Sequence, residues 1–270
     1  MPNVFLRLTS LVTNKKNRLG ELNEAQALFC EWNATRLGIS LEQSRCRFEH
    51  SFNLFRRGHE GSTYRKFCDT TYDVFSVFVT DSEAEVFEAY KFHQHLHFLR
   101  MLSYNFGEWP AKDAVSNYLL GLDKVVIVDF GCGLAQLSRS LAKQLIAKGK
   151  PVELALADIP TVRRDFLLWV GEKTGVPTTF LDCTKERPLP SLPPCNLCVA
   201  TEVLEHLHEP LSALHVIHSA LLPGGFLRTS IDDHGEGFMH VSTNLAPVRN
   251  ELVRLGYEEL VASTLYRKPI

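Results

Sequence analysis

Val125-Val126-Ile127-Val128-Asp129-Phe130-Gly131-Cys132-Gly133-Leu134-Ala135 is the stretch on which the fold turns. Its first four residues are an unbroken β-branched run, the pattern of a strand covered on both faces, and such strands belong to parallel sheets flanked by helices. Two glycines follow. Leu134, Leu137, Leu141 and Leu145 then recur at helical spacing on one face, with Lys143 and Lys148 near the end and Gly149 placed as the stop. Strand, glycine turn and helix in that order predict the first βαβ unit of an α/β sheet. Gly131 and Gly133 carry no Cβ and accept positive φ, so a ligand can come close to the backbone at the helix start.

Downstream the rhythm repeats. Val152 to Ala157 reads as a second strand, ending in Asp158, whose carboxylate can accept two hydrogen bonds from ribose hydroxyls. Thr178 to Leu181 is a third strand, ending in Asp182, where the carboxylate and the adjacent backbone can take an adenine amino group. Asn196 to Ala200 is a fourth, running into Thr201-Glu202-Val203-Leu204-Glu205-His206-Leu207. A helix from Pro210 leads to Leu221-Leu222-Pro223-Gly224-Gly225-Phe226-Leu227. A dinucleotide site wants a third small residue at position 136, where this chain has Gln136, and an acid roughly 20 residues on, against 158 − 129 = 29 here. NAD and FAD are therefore disfavoured. No P-loop signature occurs either.

In order, these motifs resemble those of class I S-adenosylmethionine-dependent methyltransferases, closest in flavour to the O-methyltransferases of ubiquinone biosynthesis, over about 150 residues. The resemblance implies a Rossmann-like α/β sheet with helices on both faces and S-adenosylmethionine as cofactor. It places Asp129, Gly131, Cys132 and Gly133 around the methionine part of the cofactor and Asp158, with Ile159 beside it, on the ribose. Asp182 and Cys183 fall near the adenine, and Thr201 and Glu202 face the reaction centre. Ala135 departs from the pattern, since many members have a third glycine there.

Methyl transfer is an in-line displacement, and the enzyme mostly aligns acceptor, methyl and sulfur. A hydroxyl acceptor must also lose a proton, to a base or through a metal that lowers its pKa. Glu202, Glu205 and His206 after the fourth strand, with Asp232, Asp233, His234 and His240 after the fifth, lie at strand ends that are neighbours in such a sheet. Glu-x-x-Glu-His with a distal His also resembles the divalent-metal site of small-RNA 2'-O-methyltransferases and of the ubiquinone enzymes. On that reading Glu202, Glu205, His206 and His240 are the ligands. Without a metal, the same motif caps and shapes the helix that follows, and His240 or His234 is the candidate base. His93, His95 and His97 form another histidine cluster, open to zinc, acceptor recognition or simple packing.

The expected activity is O-methylation of a small molecule. Other S-adenosylmethionine chemistry releasing methylthioadenosine, RNA methylation and a non-enzymatic cofactor-binding subunit stand as alternatives. Twenty-nine Lys and Arg against 31 Asp and Glu give a net charge of −2, which argues against nucleic acid as partner. The N-terminus lacks a signal-peptide core and no apolar run reaches membrane length, so a cytoplasmic protein with no membrane insertion is expected. Seven cysteines without a secretory context predict reduced thiols, and Cys195-x-x-Cys198 has no second pair to make a zinc ribbon.

Residues 113–270 read as the cofactor-binding domain and 1–112 as a mainly helical region, serving as a lid, a substrate element or the contact of a homodimer. Ser82-Glu83-Ala84-Glu85 predicts one helix running to about Met101, and Ser40-Leu41-Glu42-Gln43 a second start. Aromatics such as Trp32, Phe48, Phe52, Phe87 and Tyr90 give the region material for a core. At the other end, Ala246 to Leu255 predicts a helix and Glu259 to Leu265 one strand. That leaves the sheet one strand short of a complete class I sheet, or differently arranged.

Overall fold

The computed structural model describes residues 22–59, 83–92, 94–103, 112–233 and 240–270. By backbone contacts the chain divides into two compact units, Met1–Thr70 and Thr71–Ile270. The helices between 83 and 120 fall in the second unit, with the sheet.

In the first unit, α1 (Glu24–Leu37) opens on a capping box in which Asn23 Oδ1 accepts from the Gln26 N–H at 2.9 Å and Gln26 Oε1 from the Asn23 N–H at 3.2 Å. Gly38, at φ +61°, closes it. Helix α2 (Leu41–His59) opens on the expected Ser40 box, with reciprocal bonds between Ser40 and Gln43 of 3.0 and 3.1 Å. Phe29 of α1 meets Phe48 of α2 with ring centres 5.5 Å apart, and Trp32 and Phe52 extend the contact along each helix at 5.9 and 5.1 Å.

The second unit begins with α3 (Glu83–Phe92), α4 (Gln94–Ser103) and α5 (Lys112–Leu120). Two helices therefore stand where one was expected; Ser82 and its capping pattern lie outside the described residues. The sheet follows: β1 (Val125–Phe130), α6 (Gln136–Ala147), β2 (Val152–Asp158), α7 (Val162–Thr174), β3 (Thr178–Asp182) and β4 (Cys195–Ala200). A 3₁₀ turn (Leu204–His206), α8 (Pro210–Ala220), β5 (Leu221–Thr229), α9 (Ala246–Arg254), β6 (Glu258–Val261) and β7 (Leu265–Arg267) complete it. Seven strands pair in the order β3-β2-β1-β4-β5-β7-β6, with β7 antiparallel to both neighbours and the first five parallel. This is the Rossmann-like architecture the strand rhythm predicted.

The sheet is not a strand short. The segment expected as one strand from Glu259 is a hairpin, turned at Ala262–Thr264 with Ser263 at φ +53°, and β7 is inserted between β5 and β6. Val125, Ile127, Val128, Leu197 and Ala200 are fully buried, as befits central strands covered on both faces. Cys195 and Cys198 sit in that core with no exposure, and burial pushes both thiols up, Cys195 to about 12. Both are protonated packing residues and not a metal clamp. No described helix is long and apolar enough to cross a membrane.

Candidate functional site

A cavity of about 780 Å³ opens at the carboxyl ends of β1, β2 and β4, where ligands bind in doubly wound sheets. The glycine turn and the ends of β2 and β4 form its floor. Phe87 and Tyr90 of α3 and His97, Arg100 and Met101 of α4 form the facing wall. His206, Leu207 and His240 close one side.

The turn after β1 is built from three consecutive left-handed positions at alternate residues: Gly131 at φ +65°, Gly133 at +54° and Ala135 at +49°. The Gly131 N–H donates to the Ala157 carbonyl at 2.7 Å and the Ala135 N–H to the Cys132 carbonyl at 2.6 Å, which locks the turn against β2. A Cβ at Gly131 would stand 2.3 Å from Val203 Cγ2, so this glycine is demanded by the protein's own packing. One at Gly133 would meet the methyl and sulfur of Met101 at 3.4 Å. Asp129 is 5% exposed and accepts a hydrogen bond from Ser138 Oγ at the start of α6. Burial is the main cause that raises its carboxyl to about 8.

Asp158 ends β2 inside a network. Its Oδ1 accepts from the Ile159 N–H at 2.7 Å and from Arg163 Nη2 at 3.3 Å, and its Oδ2 from the Gly133 N–H at 2.8 Å. The Cys132 thiol lies 3.8 Å from Oδ2, and burial first, then this carboxylate, push the thiol up. Asp182 ends β3. Cys183 lines the cavity and Asp182 does not. Asp182 shares a strand face with Phe180, and Arg164 covers both, pairing with Asp182 at 3.2 Å and lying 6.0 Å from the Phe180 ring.

After β4, Thr201 lines the cavity, and its Oγ1 is buried without a hydrogen-bond partner among the described residues. Glu202 follows at φ +55°, a rare conformation for a residue with a side chain. Ser230, beyond β5, holds it there by accepting from the Glu202 N–H at 2.8 Å and donating to its Oε1 at 2.7 Å.

Glu205 is fully buried in the 3₁₀ turn, and its carbonyl accepts from the Val241 and Ser242 N–H groups at 2.9 Å each. Those bonds bring His240 beside His206, ring centres 5.0 Å apart. Ligand atoms of Glu205, His206 and His240 all lie within 4.8 Å of one another. Glu202, expected as a fourth ligand, is not in that group, because its strained backbone turns the carboxylate to Ser230. Tyr90 meets His97 edge-on at 5.2 Å and His206 at 6.5 Å, and its hydroxyl is pushed up by burial and by Asp158.

The cavity gathers Asp129, Gly131, Cys132, Gly133, Asp158, Ile159, Cys183, Thr201, Glu202, His206 and His240 of the expected residues. Asp233 is instead a structural cap, accepting from the Leu245 N–H at 3.0 Å and from Arg249 at 2.9 Å. His93 and His234 lie outside the described residues, and His95 is exposed. Arg100, Met101 and Arg163 were missed. The one sequence signal for Arg163 was a cation in the first turn of a helix, where it opposes the dipole.

Residues 101–243 match the family model described as a methyltransferase domain. No curated protein matches the sequence. Among solved structures, the magnesium protoporphyrin IX methyltransferase of Synechocystis PCC 6803 with bound SAM is 15% identical over 69% of this chain and 94% of that one, with a TM-score of 0.46. A SAM-dependent methyltransferase of Aquifex aeolicus is 14% identical over 70% and 97%, at 0.41. The cyclase SpnF is 18% identical over 67% and 74%, at 0.45.

Proposed function

The chain belongs to the methyltransferase-domain family and uses S-adenosylmethionine, and from that premise we propose that it methylates a hydroxyl of a small molecule held in the cavity described above. The observation that carries this reading is the continuity of one cavity from the glycine turn to the His206 and His240 rings, under a wall of aromatic side chains. Its volume falls within the range of small-ligand sites and leaves room for an acceptor beside a cofactor.

Asp158 is the acceptor for the ribose hydroxyls, Cys183 flanks the adenine, and Asp129 with the turn from Gly131 to Gly133 holds the methionine end. The unpartnered Thr201 hydroxyl fits a ligand polar group at the end of β4. When bound, the cofactor supplies a methyl on a sulfonium that is its own leaving group. Glu202, fixed by Ser230, borders the point of transfer. His240, ordered by the Glu205 carbonyl through its chain neighbours, would take the acceptor proton, and the bound cofactor would supply the methyl and keep the S–CH₃ bonding pair on sulfur.

A second reading has a specific observation behind it. Glu205, His206 and His240 would hold a divalent ion that lowers the pKa of the acceptor hydroxyl. Tetrahedral bonds of roughly 2.1 Å set ligand atoms about 3.4 Å apart, against 3.9 Å between Glu205 Oε1 and His206 Nε2, a difference that side-chain rotation covers.

The test incubates the protein with S-adenosylmethionine and the low-molecular-mass extract of its source cells. S-adenosylhomocysteine and one compound heavier by a methyl are expected, with His240→Ala lowering turnover about 100-fold. Methylthioadenosine, or label only in macromolecules, would overturn the proposal. Activity lost to a chelator and restored by Mn²⁺ would favour the metal reading over the base.

A further inference from the structure

Arg163 is a guanidinium buried to 4% exposure, in the first turn of α7, where a cation opposes the helix dipole. Local helix chemistry therefore does not account for it, and a buried arginine needs partners. It has three, on three elements. Nε donates to Thr161 Oγ1 at 3.1 Å, at the cap of its own helix. Nη1 lies 3.1 Å from Met101 Sδ of α4, and Nη2 donates to Asp158 Oδ1 at 3.3 Å.

We infer that Arg163 is a positioning residue for the ribose of the cofactor, acting through Asp158; the inference rests on the ribose assignment above. A carboxylate offers about four lone-pair sites. The N–H groups of Ile159 and Gly133 and the Arg163 guanidinium take three and fix the plane of the carboxylate; the fourth faces the Cys132 thiol at 3.8 Å, a weak donor that a ribose hydroxyl can replace. The Arg163–Asp158 pair, 4% and 13% exposed, is neutral as a whole and sets no net positive charge against a sulfonium. Because the same guanidinium reaches Met101, whose side chain faces Gly133, the floor and the opposite wall of the cavity are set by one side chain. Lysine cannot span three such partners from a single ammonium.

The test is a calorimetric cycle with two probes, S-adenosylhomocysteine and its 2'-deoxy analogue, on wild type, Arg163→Met, Arg163→Lys and Asp158→Ala. Wild type should prefer the ribose form about tenfold, Arg163→Met should lose most of that preference, and Arg163→Lys should fall between. A merely structural role would weaken both probes by the same factor and overturn the inference. If Asp158→Ala binds both probes as wild type does, the ribose reading itself fails. If it loses the preference while Arg163→Met keeps it, the reading stands and the inference falls. Should Arg163→Met not fold, full wild-type preference in Arg163→Lys overturns the inference alone.

Discussion

Asp129 is the buried carboxyl that couples the site to pH. Held at about 8 by burial, it keeps in the fold a proton that the unfolded chain releases near pH 4. Between those values the native state binds more protons than the unfolded one, so stability falls as pH rises and the loss is complete above pH 8. Asp129→Asn removes that dependence. Urea titrations from pH 5 to 8 should show wild type losing up to about 1.4 kcal/mol per pH unit relative to the variant, and parallel curves would refute the assignment. At this scale the residues at strand ends were legible, because an apolar run that stops at Asp129, Asp158 or Thr201 places its last side chain at the sheet edge. Arg163, Tyr90 and Arg100 were not, since their place in the cavity wall is decided by how helices pack. Asp182 ends the strand expected for it, and its pairing with Arg164 on the preceding helix, α7, is a tertiary contact that local pattern does not encode.

Helix α4 shows what decides the wall. Gln94, Phe98 and Leu102 recur every fourth residue. Gln94 Oε1 accepts from the Val162 N–H at 2.8 Å, and Phe98 packs on the fully buried Phe166 at 5.2 Å. This face docks α4 on the start of α7, which leaves His97, Arg100 and Met101 to the cavity. Phe98→Ala should cost about 3 kcal/mol in urea unfolding and weaken S-adenosylhomocysteine binding measured on the folded protein. A loss under about 1 kcal/mol with unchanged binding would mean the docking does not set the wall. The periodicity that betrays α4 does not mark where α3 ends, since neither Phe92 nor Gln94 is a glycine or proline. The hairpin of β6 and β7 escaped for the same reason. Its turn uses Ser263 in the left-handed region, supported by Glu259 Oε1 accepting from the Ser263 N–H at 2.7 Å, where Gly or Asn would have announced it.

Across the whole molecule, the last strand in the chain is not the last in the sheet. β7 pairs with β5 and β6 at once, and Leu265 and Tyr266 are buried. Ending the chain at Thr264 would strip the edge of β5 and leave β6 without a partner, so the truncated protein should show no cooperative thermal transition by circular dichroism. A midpoint within about 5 °C of wild type would show the hairpin to be dispensable. The order of the first five strands followed from the alternation of apolar runs and helices; the insertion of β7 is a choice among neighbours that local pattern does not encode. Gly131 and Val203 bind this architecture together in another way. They are 203 − 131 = 72 residues apart, yet the branched methyls of one fill the space the other leaves vacant. The two positions therefore share one allotment of volume, and a methyl gained at 131 must be surrendered at 203. A larger residue at 131 would need a smaller one at 203 and would still have to take the left-handed backbone, so the two sites are coupled whatever ligand the turn receives.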